Sequence, residues 1–229
     1  MGERPNLESA RQTASRLRAE IEALPVKNTP TIRAIRRRYS RQLKSAPAEF
    51  VLDVARGVME ASVHRWVAFE LIRGHGRAFN SIGELELEEF GQGINSWWSV
   101  DAFARTLAGP AWLRGQVSDD LIGRWARLDN RWWRRAALVS TVALNVRSRG
   151  GMGDVPRTLA VCRMLVDDHD DMVVKAMSWA LRELVVHDDD AVRQFLSAHD
   201  DVMAARVKRE VMNKLTTGLK NPRQGAAPT

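Results

Sequence analysis

Three short segments combine residue types that could hold or act on a charged, electron-poor partner. The first is Trp97-Trp98-Ser99-Val100-Asp101, preceded by Gly91-Gln92-Gly93 as the end of an earlier helix. On a helix, Trp97 and Asp101 are four apart and share a face. A carboxylate beside an indole face can activate water next to a cation-like centre. The competing reading makes both tryptophans core and Asp101 a surface acid. The second segment is Asn130-Arg131-Trp132-Trp133-Arg134-Arg135-Ala136-Ala137-Leu138. Guanidinium forks suit phosphate and aromatic rings pack on sugar or base, so this mixture fits a nucleic-acid backbone. Alternatively Trp132 or Trp133 is core and the arginines lead their stems out to water. The third is Val174-Lys175-Ala176-Met177-Ser178-Trp179-Ala180-Leu181-Arg182-Glu183, where Lys175, Trp179 and Arg182 form one helical stripe. A core face has no use for that stripe. A nucleic-acid surface has, as has cation–π packing on a solvated face.

Other polar groups read as structural. Cys162 sits inside an apolar helical stretch as a small core residue, and a single cysteine forms no internal disulfide. His169-Asp170-Asp171 and His187-Asp188-Asp189-Asp190 fall at helix starts, where aspartates cap free N–H groups and favour the dipole. The glycines at 150, 151 and 153 follow no strand, so they form no phosphate-binding fingerprint. No zinc-ligand spacing and no HExxH occurs, so no metal and no cofactor is expected. Arg33, Arg36, Arg37, Arg38, Arg41 and Lys44 give one early helix a basic surface, read first as a solvated face.

The elements that must position these residues are all helical. Apolar residues recur at spacings of three and four without a strand or hairpin pattern. Helices are expected at 6–24, 30–44, 47–59, 61–74, 81–94, 97–107, 118–127, 131–147, 155–168, 171–185, 188–197 and 204–218. Basic residues near the starts of the later apolar helices (Arg135, Lys175, Arg209) recur at roughly 34–40-residue intervals, as in stacked HEAT-type helix pairs. The expectation is an all-α helical-repeat solenoid of antiparallel pairs, a single domain over 1–220 with a concave basic face, and a disordered tail over 221–229. Hydrophobic residues at 45% and charged residues at 28% exclude wholesale disorder. The 35 Lys and Arg exceed the 28 Asp and Glu to give +7, consistent with a polyanionic partner. With no apolar leader and no run near the ~18 apolar residues of a membrane span, a cytoplasmic protein is expected.

Taken together and in this order, the segments resemble the bacterial DNA alkylation repair family, the AlkD-like glycosylases, from about Val26 to Leu219. The motifs that carry the resemblance are Trp-Trp-Ser-Val-Asp at 97–101, Trp-x-x-Arg-Ala-Ala at 132–137 and Lys-Ala-Met-Ser-Trp-Ala-Leu-Arg-Glu at 175–183. Thr29-Pro30-Thr31-Ile32-Arg33 and Lys208-Arg209-Glu210 add weaker matches. The resemblance implies hydrolysis of the N-glycosidic bond of cationic N3- and N7-alkylpurines in duplex DNA, by a monomer at the nucleoid, without a flipped base in a pocket. By that analogy Asp101 positions or deprotonates the attacking water. Trp179 and either Trp97 or Trp98 cradle the deoxyribose, and Arg135 holds the backbone nearby. Arg134, Arg135, Lys175, Arg182, Lys208 and Arg209 are the implied DNA-binding residues. The family commonly has one more residue between its second tryptophan and the aspartate. Helical facing therefore selects Trp97, while counting as the second tryptophan selects Trp98. The runner-up is a catalytically silent helical-repeat protein that binds DNA, and a third reading is a scaffold for an acidic protein partner.

Overall fold

The computed structural model describes residues 9–60 and 64–222, and every regular element among them is helical. The expected helical residues 6–8 and 61–63, and the tail from 223 onward, lie outside the described residues. The chain forms two compact units, Met1–Phe90 and Gly91–Thr229. No helix among the described residues is long and apolar enough to cross a membrane.

The first unit holds α1 (Ala10–Glu22), α2 (Thr29–Gln42), α3 (Ala48–Met59), α4 (Trp66–Gly74), α5 (Gly76–Ser81) and nearly all of α6 (Glu84–Gly91). Its core forms where α1 packs on α3, and α3 and α2 pack on α4. Ser9 and Gln12 close a capping box at the start of α1, and Asn28 with Thr31 do so for α2, ahead of Pro30 in its first turn. The basic face of α2 is partly matched internally, since Arg33 and Arg36 both reach Glu70 and Arg38 reaches Glu20. The expected helix at 81–94 is the shorter α6, and α5 fills the stretch between the expected helices 61–74 and 81–94. Ile82 adopts extended backbone between α5 and α6, and the Gly83 N–H donates to the Glu86 carboxylate.

The second unit carries the three segments of interest. It runs α7 (Trp97–Phe103), a π-helical turn (Ala104–Ala108), α8 (Gly109–Leu113), α9 (Asp119–Ala126) and α10 (Arg131–Asn145). After a short 3-10 turn (Arg147–Arg149) follow α11 (Val155–Met164), α12 (Asp171–Leu184), α13 (Asp189–Ala198) and α14 (Ala205–Thr217). The short connections make α9/α10, α11/α12 and α13/α14 antiparallel pairs. Successive pairs stack through α10 on α12 and α12 on α14, while α11 packs on both α9 and α10. This is a helical-repeat fold. Helix α10 is its axis, buried continuously from Arg135 to Asn145.

Five helix starts in this unit have a local cause. Ser118, Asn130, Asp154, Asp170 and Asp188 all accept a backbone N–H from the first turn they precede. The two acidic runs are therefore caps, as the sequence suggests. Cys162 is fully buried, which pushes its thiol up to about 12 and leaves it a core residue.

The expected end of the helix at 107 needs correction, because the helix continues to Leu113. Pro110 lacks an N–H, and its ring would clash with the carbonyl four residues back in a regular α-helix. Widening the preceding turn to π geometry absorbs it, with the Gly109 N–H bonded to the Ala104 carbonyl. Gly109 is needed for a second reason. A Cβ there would lie 2.7 Å from the Ser140 carbonyl oxygen and 2.8 Å from the Ala143 Cβ, so only glycine lets this helix approach α10.

Candidate active site

Ser96 precedes α7 in extended backbone, and its N–H donates to the Ser99 hydroxyl, which fixes the first turn. That turn presents Trp97 and Trp98 to solvent, at 58% and 43% exposure. Neither is a core residue. The tryptophan that packs on the aromatic core comes from the next motif and is itself half-buried. Trp133 lies 4.8 Å from Trp125 and meets Phe103 edge-on. It also sits where a Cβ on Gly91 would be, 2.2 Å from its Cη2, which explains the glycine ahead of the first motif. Trp132 instead carries the Arg131 guanidinium, 4.9 Å from its ring.

One turn beyond Trp97, Asp101 faces the start of α10. The Nε and Nη2 of Arg135 donate to its two carboxylate oxygens, each at 2.9 Å, and Nη1 donates to the Met172 carbonyl at 2.6 Å. The pair is nearly closed to water, with 6% of the Arg135 side chain exposed and 16% of Asp101. Burial raises the Asp101 pKa above the ordinary carboxylate value, against the opposing hydrogen bonds and charge of Arg135 and the charge of Arg105. A carboxylate clamped in this way keeps unused lone pairs on both oxygens, open to a water on the exposed side.

The π-turn adds Arg105, four residues past Asp101, and its guanidinium carbon stands 5.2 Å from the centre of the Trp179 ring. Arg105 thus links α7 to the α12 stripe. The Trp179 indole N–H donates to Glu183 at 2.9 Å. Arg149, at the end of the 3-10 turn, donates to the Arg105 carbonyl at 3.0 Å. Sequence reasoning missed both arginines. Extending the Trp97–Asp101 face by one more turn selects Arg105. Arg149 has no local signal, because it reaches the site from 44 residues away.

The structure therefore brings Asp101, Arg135, Arg105 and Trp179 into one connected cluster, with Trp97 a turn before Asp101. The remaining basic residues are placed otherwise. Arg134 is held by Asp168 at 2.7 Å and by the carbonyls of Leu128 and Asp129. Lys175 pairs with Asp171 one turn back. Arg182 lies half-buried against the Ser178 hydroxyl, and desolvation lowers its pKa. That hydroxyl in turn donates to Glu210, which also receives Arg206 and lies near Lys220. Burial alone would raise the Glu210 pKa, but these donors and charges hold it low. Lys208 reaches Asp200, while Arg209 is exposed.

The family model described as DNA alkylation repair enzyme matches residues 2–215, nearly the whole chain. The chain belongs to that family. No curated protein matches it. Membership of a DNA repair family makes DNA the expected substrate. Among the described residues, no group of three or more His, Cys, Asp or Glu side chains could hold a metal ion.

Proposed function

We propose that the chain is a monofunctional DNA glycosylase that hydrolyses the N-glycosidic bond of cationic N3- and N7-alkylpurines in duplex DNA. The observation that carries this reading is the Asp101 carboxylate, held at both oxygens by Arg135 one turn from the exposed Trp97 indole. An alkylated purine is already positive, so it leaves as a neutral base with the bonding electrons and needs no strong general acid. As the bond breaks, positive charge grows on the deoxyribose. The faces of Trp97 and Trp179 and the charge of Asp101 stabilise that charge electrostatically. A water bound to Asp101 then adds to the anomeric carbon and gives its proton to the carboxylate, leaving an abasic site. The raised Asp101 pKa makes it a better base than an ordinary aspartate. Arg135 sets the carboxylate's direction and keeps it charged against burial.

All of these residues belong to the unit from Gly91 to Thr229 of one chain, so the reading needs no second subunit. DNA would engage the same face through Trp98 and through Arg134, Lys175, Arg182, Lys208 and Arg209, most of which must exchange an internal partner for a phosphate. The test is release of 7-methylguanine from alkylated duplex. Asp101→Asn keeps the shape and an acceptor for Arg135, so it should abolish release while duplex affinity stays near wild type. If the wild-type protein binds duplex but releases no alkylated base, the chain is a silent DNA-binding protein and the glycosylase reading fails.

A further inference from the structure

Arg105 has no role in the mechanism above, yet it sits between two of the groups that do. Its guanidinium rests over Trp179, and its charge acts on Asp101. That carboxylate is already matched at both oxygens by Arg135. Arg149 adds another positive charge against Arg105, close enough for the two to repel. Arg135 and Arg105 thus both act on one carboxylate, with Arg149 against Arg105, and neither Arg105 nor Arg149 has an ion pair among the described residues. The Arg105 Nε is buried and has no hydrogen-bond acceptor there. A buried donor without an acceptor is costly, as is uncompensated charge of one sign, and an anionic oxygen would relieve both. Trp179 restricts where the Arg105 fork can point, and Arg149 is tied to the backbone of the same turn, so the cations are gathered before any ligand arrives.

We propose that Arg105 and Arg149 form a phosphate subsite that takes one phosphodiester of the DNA backbone beside Trp179. The forked guanidinium of Arg105 supplies Nε to one oxygen, and Arg149 supplies the balancing charge from the solvent side. Bound there, the backbone is pinned next to Asp101, and the subsite registers the reacting nucleotide against the carboxylate. This rests on the reading that the protein binds duplex DNA, though not on its being a glycosylase.

The experiment measures affinity for a short undamaged duplex across a range of salt concentrations. Arg105→Ala should bind about tenfold more weakly, and its slope of log affinity against log salt should fall by about 0.9, the loss of one phosphate contact. Arg149→Ala, at an exposed position with little effect on folding, should reduce the slope likewise. Arg105→Lys keeps the charge but not the Nε fork, so it should retain the slope while losing affinity. An uncharged methylphosphonate at the contacted linkage should weaken wild type and leave Arg105→Ala indifferent. Wild-type slopes in both Arg105→Ala and Arg149→Ala overturn the subsite, and so does tighter binding by Arg105→Ala, which would make the side chain a plug. Selective competition by dilute inorganic phosphate would identify free phosphate as the ligand and overturn the backbone assignment. No duplex binding by wild type at low salt would instead sink the DNA reading beneath it.

Discussion

Removing Arg135 tests the central feature of the site most directly. Arg135→Met fills similar space but leaves Asp101 buried with neither of its two charge-assisted hydrogen bonds, and leaves the Met172 carbonyl without its donor. Breaking a buried ion pair from one side costs about 3–5 kcal/mol, and the residual exposure of Asp101 argues for the lower end, about 3 kcal/mol. For a chain of this size that lowers the melting midpoint by roughly 6–12 °C. The loss must also depend on pH. Arg135 opposes the burial that raises the Asp101 pKa, so its removal sends that pKa higher still. A folded-state pKa above the unfolded value contributes stability at low pH, where the carboxyl is protonated, and that contribution disappears as pH rises through the folded pKa. Melting followed by circular dichroism should therefore show the full gap from wild type at about pH 8 and a smaller one at about pH 5. Replacing both partners, with Asp101→Leu added to Arg135→Met, should recover most of the stability, because two apolar groups need no compensation. A loss below about 1 kcal/mol, or one that is equal at both pH values, would mean that the pair behaves as an ordinary surface ion pair.

In the proposed mechanism the same carboxylate sets an acid limit on catalysis. Base release, corrected for spontaneous loss, should fall as pH drops through a value above that of an ordinary aspartate, since Asp101 must be ionised to accept the proton; an acid limb in the ordinary range contradicts this. Gly109→Ala should destabilise by about 1–3 kcal/mol in urea unfolding, because its Cβ meets α10 backbone that cannot step aside; a neutral result would show that the helix can withdraw.

Much of this was legible in the residues. The helix bounds around Asn130 and Asp170 follow from caps and periodicity, which are local, and the structure differs from them by only a few residues. The pairing of Trp97 with Asp101 on one face was likewise local. What escaped was set by contacts distant in sequence. Trp132 and Trp133 are both half-buried, and it is Trp133 that packs on the core because Trp125 and Gly91 make room for it. Pro110, beyond the expected helix end at 107, is absorbed by a widened turn, and that turn carries Arg105. Arg134 and Arg135 read alike in sequence, yet one belongs to Asp168 and the other to Asp101, each 34 residues away.

That internal pairing changes what the basic composition means for a protein searching a chromosome. A phosphate that reaches Arg134 or Lys175 meets a cation already satisfied by Asp168 or Asp171. The electrostatic gain is then the difference between two anionic partners rather than the whole of one. Under the proposed function, such a surface should hold intact duplex only lightly and release it quickly. The count of 35 Lys and Arg overstates the grip, because each internal pair joins one cation to one anion and leaves only the +7 excess unmatched.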